Sequence, residues 1–190
     1  MKCLSFSDFV DQQLPLFRVC TSWGRSGRTN AKIGTNFENL IIMSNQSYEN
    51  KNLGVVKKNN IATKYVKGKY FYSEKSTVDF DGWLDGVGFV AFDCKSTDHD
   101  SFWAPDRRAL HQYLYLLRLS RIMPREMGRA FYLIEWRQPR TPQWYIVQDL
   151  EQLKLDGRYR FNDAHLVGSS PGFFVDYRHK LLEMVDDFSA

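Results

Sequence analysis

The apolar segment Val87-Gly88-Phe89-Val90-Ala91-Phe92, closing on Asp93-Cys94-Lys95, constrains the fold most. It reads as a strand, and a charge at the end of such a strand is costly unless it is used or paired. A second strand-like segment, Ser76 to Phe80, precedes it at hairpin distance. Side chains at i and i+2 of a strand share a face. Thr77 and Asp79 therefore point one way, as do Asp93 and Lys95. If the two strands pair, two carboxylates, a hydroxyl and an ammonium converge on one patch. Close carboxylates repel each other and are relieved by a divalent cation. A lysine beside that cation can hold an attacking water or steady a pentavalent phosphate. The chemistry indicated is metal-dependent phosphodiester cleavage. An acid-x-Lys triplet alone is weak evidence, and Glu49-Asn50-Lys51 is a second one in a polar turn.

Helices are expected over 30–48, 106–121 and 176–188, with strands at 53–58, 76–80, 88–95, 130–136 and 144–147. The stripe expected to face the core of the second helix is Leu110, Tyr113, Leu114 and Leu117. Asp81-Gly82 and Asp85-Gly86 both suit the hairpin turn, so its register stays open. The element order implies an α/β fold, a mixed central sheet flanked by helices. With 190 residues, 43% hydrophobic and 15% aromatic, one domain with a sizeable core is expected, 30–190, preceded by a flexible basic arm, 1–29. No apolar run is long enough for a membrane span, and no signal peptide is visible. Three cysteines without a C-x-x-C pair suit a reducing, cytoplasmic setting. Cys94 should face the packed side of its strand.

Net charge is only +4, but its distribution is uneven. No acid occurs from Gln12 to Phe37, where Arg18, Arg25, Arg28 and Lys32 lie. None occurs from Asn50 to Ser73, where Lys51, Lys57, Lys58, Lys64, Lys67 and Lys69 lie. A basic surface around an acidic spot suits a polyanion gripped broadly and cut at one point. The DNA-binding set is Arg25, Arg28, Lys32, Lys57, Lys58, Lys64, Lys67 and Lys69; the bland alternative is a solvated basic face. Glu38 is either a favourable carboxylate near a helix N-terminus or an added carboxylate beside the metal. Gln112 sits one position off its helix's apolar stripe and offers a hard oxygen for magnesium. His99 and His111 are set aside. Trp23, Trp83, Trp103, Trp136 and Trp144 are read as core or rim rather than as base-stacking platforms.

Taken together, these stretches resemble the RecU family of Holliday junction resolvases, within the PD-(D/E)XK nuclease superfamily. They are Arg28-Thr29-Asn30 to Gly34-Thr35-Asn36-Phe37-Glu38, Val55-Val56-Lys57-Lys58, Ser76 to Gly82 and Val90 to Thr97. His111-Gln112, Gly128 to Ile134 and Val175-Asp176-Tyr177 complete the set. The resemblance implies a homodimer that resolves four-way junction DNA by symmetric cleavage in recombination and repair, dependent on magnesium, with manganese as a substitute. It implies Thr77, Asp79, Asp93 and Gln112 at the metal, Lys95 at the transition state, and Glu38 near the site. It also implies a restriction-endonuclease-like core with a basic stalk over about 59–75, shorter than is usual in the family. Asp93 stands where the family's glutamate is usual, one methylene shorter with the charge kept. A nucleoid-associated place in the cytoplasm follows; any recombinase or helicase partner is left unnamed. Two other readings stay open: a sequence-specific or repair nuclease of the same superfamily, and a junction-binding protein that does not cut.

Overall fold

The computed structural model describes residues 30–59, 63–66, 69–72, 78–98, 102–103, 109–137, 141–153, 159–160, 166–169 and 174–186. Helix α1 (Asn30–Asn50) leads to β1 (Gly54–Lys58), then β2 (Thr63–Val66), β3 (Lys69–Tyr72), β4 (Phe80–Leu84), β5 (Gly88–Thr97) and β6 (Phe102–Trp103). Next come α2 (Leu110–Ile122), β7 (Gly128–Trp136), β8 (Gln143–Val147), β9 (Tyr159–Arg160), β10 (Leu166–Ser169) and α3 (Tyr177–Asp186). The main sheet has the order β1-β4-β5-β7-β8-β10. Its β5–β7 pair is parallel and its other pairs are antiparallel, so the sheet is mixed, as expected. β2 and β3 form a separate hairpin within the segment expected to be a stalk.

β5 and β7 are apolar on both faces because helices cover both. On one side Phe80, Phe92 and Phe131 stack in a column against Tyr177 of α3, with Phe37 and Ile41 of α1 in the same core. Tyr177 and Tyr48 are wholly buried, and each finds a polar partner: Tyr177 donates to Asn45 Oδ1 at 2.6 Å, and Tyr48 to Asp176 Oδ1 at 3.0 Å. Asp176 also accepts the His179 N–H and so caps α3. On the other side Tyr113 and Leu116 of α2 pack on Ala91, Tyr132, Ile134 and Tyr145.

Three expectations are corrected, and the hairpin register left open is settled. Of the strand placed at 76–80, Val78 and Asp79 lie outside β4, which starts at Phe80, and Asp79 lies in a bend. The hairpin turns at Asp85-Gly86, where Gly86 takes φ 76°. Gly82 instead lies within β4, where a Cβ would clash with the Val55 carbonyl oxygen. α2 is rotated from its expected phase: Tyr113 and Leu116 are buried, while Leu110 and Leu114 are exposed. Trp144 is buried, but Trp83 is 57% exposed on β4 and is not core. Cys94 is a buried free thiol on the α1 side, as expected. Among the described residues, no helix is long and apolar enough to cross a membrane.

Candidate active site

Asp93 and Lys95 leave β5 on the α2 side, two residues apart, and pair as ions. Asp93 has no exposed surface, because Tyr132 lies opposite it on β7 and the α2 core begins there. Gln112 reaches down from the first turn of α2 and joins the pair. Its Nε2 donates to Asp93 Oδ1 at 2.7 Å, and its Oε1 accepts from Lys95 Nζ at 3.2 Å. Gln112 thus bridges α2 and the sheet.

Asp79 joins the cluster by a different route from strand alternation. The bend at Asp79 sends Val78 into the α2 core, where it is fully buried. The Asp79 carboxylate then accepts the Cys94 backbone N–H at 2.9 Å. The β4–β5 ladder has ended at Phe80–Phe92, so this side chain takes over a donor that would otherwise lack a strand partner. The Asp79 carbonyl in turn accepts the Asn59 N–H at 2.7 Å.

The electrostatics are those of a crowded acidic site. Burial pushes the Asp93 carboxyl up to about 8; the Lys95 charge opposes this and the Asp79 charge adds to it. Burial alone would lower Lys95, but the charges of Asp93 and Asp79 outweigh it and hold the ammonium above its ordinary range. Burial also raises the Cys94 thiol, with Asp79, Asp93 and Glu38 adding to it, so this sulfur stays protonated and inert.

The donor set fits a hard divalent cation. Asp93 Oδ2 is buried and faces the Lys95 ammonium. A second carboxylate and an amide oxygen lie beside it. Among the described residues no three acidic, histidine or cysteine side chains cluster at ligand spacing. Two carboxylates suit magnesium, which usually keeps several waters and binds the rest of its shell through substrate phosphates.

Glu38 is not joined to this cluster by a hydrogen bond or ion pair among the described residues; its Oε2 holds Lys58 Nζ at 2.6 Å on the α1 side. Lys57 is held by Glu49 at 2.7 Å. Lys64 and Lys69 fall in the β2–β3 hairpin and Lys32 in α1. Thr77, Arg25, Arg28 and Lys67 lie outside the described residues, as does the arm 1–29.

The fold and the cluster define an α/β protein whose paired carboxylates and lysine share one face of a mixed sheet. A family model described as Recombination protein U matches residues 32–158, about two thirds of the chain, and the chain belongs to that family. It is a family of Holliday junction resolvases, nucleases of recombination, and the matched span includes Asp79, Asp93, Lys95 and Gln112. Comparison with curated proteins gave no match.

Proposed function

We propose that this chain is a structure-selective endodeoxyribonuclease that resolves four-way DNA junctions as a homodimer, hydrolysing phosphodiesters with magnesium or, as a substitute, manganese. The observation that carries the proposal is the buried Asp93 carboxylate, pressed against a charged lysine and a second carboxylate. Asp79, Asp93 and the Gln112 amide oxygen would hold the ion, with Thr77 as a further ligand. When bound, the metal supplies Lewis-acid activation of water and of the phosphate.

The protein's own groups do the rest. Lys95 stays charged and stands beside the carboxylates, so it stabilises negative charge as it builds on the phosphate oxygens. Gln112 fixes both partners, because one amide group binds Asp93 and Lys95 at once. Tyr132 and Ile134 form a wall on the β7 side that keeps water out from that flank. The β2–β3 hairpin, with Lys64 and Lys69 in its strands and Lys67 between them, serves as the junction-engaging stalk.

The test is cleavage of a mobile four-way junction, a linear duplex and a flap, with and without magnesium. Cutting confined to the junction, lost with chelator and in Asp93→Asn, is the expected result. Preferred cutting of duplex or flap points to another nuclease of this superfamily. Junction binding without any cutting points to a binding protein.

A further inference from the structure

The reactive row and a bare strip of sheet lie on one face. Phe89, Ala91, Asp93 and Lys95 alternate along β5 on the α2 side. Cross-strand register carries that face outward: Phe89 lies opposite Trp83, and Ala91 opposite Asp81. Val55 and Lys57 of β1 lie opposite Trp83 and Asp81 in turn. α2 packs over β5 and β7. On the β1–β4 half, Trp83 is 57% and Val55 46% exposed. Among the described residues, the Trp83 indole has no hydrogen bond and no ring contact.

We infer that Trp83 is a stacking platform for a nucleobase of the DNA strand being cut. The inference rests on the proposed nuclease function and adds a contact that sets where the strand lies. Any strand whose phosphate meets Lys95 must leave the cluster over some part of this face. α2 blocks the β7 side, so the open direction runs over β4. Trp83 lies opposite Phe89, four residues before Asp93, which is about 13 Å along the sheet. That spans about four nucleotide steps at about 3.4 Å each. Nearby charged side chains have partners: Lys57 is held by Glu49 at 2.7 Å, Asp85 by Arg178 at 3.4 Å, and Asp81 accepts from the Asn59 amide at 3.1 Å. Contact here is therefore made through the ring face rather than through phosphate charge. Stacking on an indole tolerates any base, which suits a protein that reads branch shape.

The experiment compares wild type, Trp83→Ala and Trp83→Phe. It measures junction affinity, cut positions on a fixed junction, tryptophan emission on DNA titration, and sedimentation. Trp83→Ala should weaken junction binding about tenfold and spread the cut positions, while Trp83→Phe stays within about threefold of wild type. Junction DNA should quench wild-type emission more than that of Trp83→Phe, a difference that decides the matter even if the alanine variant does not fold. Unchanged affinity and cut positions in Trp83→Ala, with the wild type active, overturn the platform alone. Altered sedimentation, with affinity following assembly, overturns it in favour of a contact with a second copy. A wild type that neither binds nor cuts junctions overturns the nuclease reading and this inference with it.

Discussion

Asp93 is placed so that its proton and the proposed metal ion would compete for it. In an unfolded chain this carboxyl ionises near 4, whereas burial pushes it up to about 8 in the fold. The folded protein thus binds the proton more tightly. The contribution to stability is full below about pH 4 and is lost as pH rises towards about 8. Glu135, buried beside Ser96, is raised in the same direction. Metal-free protein should therefore melt at a lower temperature at pH 8 than at pH 6, with a smaller difference in Asp93→Asn. Magnesium requires the ionised carboxylate, so its affinity should climb across the same interval. Calorimetry at both pH values checks the two claims, and affinity falling with pH would contradict them. At Asp79 two substitutions should part company. Asp79→Asn keeps an oxygen for the Cys94 N–H, so it should abolish cutting and leave the fold intact. Asp79→Ala leaves that donor unpaired and should also cost about 1–3 kcal/mol of stability by denaturant unfolding. Lys95→Ala should lower the cleavage rate by several orders of magnitude at nearly unchanged junction affinity. A parallel collapse of binding would make Lys95 a phosphate anchor instead.

Among the elements, α2 gives the sharpest test of packing. Leu116→Ala should cost about 2–5 kcal/mol, and Leu114→Ala no more than about 0.5 kcal/mol, both read from chemical denaturation. Equal costs would restore the phase first expected for this helix. That phase was not legible because Leu110-His111-Gln112-Tyr113-Leu114-Tyr115-Leu116-Leu117 is apolar nearly all round, and periodicity needs a polar side to fix it. α1 and β5 were legible because their patterns are clean: Phe37, Ile41 and Tyr48 recur at helical spacing, and an apolar run ends in an alternating charged pair. Asp79 comes beside Asp93 by a geometry other than the strand alternation expected. A side chain that stands in for a missing ladder partner leaves no periodic trace. Nor did the sequence reveal the edge strand β10, which is four residues long with a register shift. The exposure of Trp83 depends on which strands α2 leaves uncovered, a fact of tertiary packing alone. For the β2–β3 hairpin, alanine at Lys64, Lys67 and Lys69 together should weaken junction binding and flatten its salt dependence by about three charges' worth. A folded variant that binds and cuts normally would remove the hairpin from the interface.

For the whole molecule, the spread of lysines and arginines should make log affinity for a junction fall steeply with log salt. Preference for the junction should survive excess linear duplex if two subunits span its arms. Competition binding and sedimentation together check this, and equal affinity for the two DNAs would argue against shape reading. The parallel β5–β7 ladder has a further meaning in time. It joins Asp93 to Tyr132, 39 positions apart in sequence, and Gln112 comes from the connection between them. Contacts of such separation form late, after local helices and hairpins. A chain still leaving the ribosome therefore lacks the cluster until α2 and β7 have emerged and docked. On the proposed function, nascent and half-folded copies would carry the basic segments without the assembled cluster, so DNA would meet the cutting site only in finished molecules.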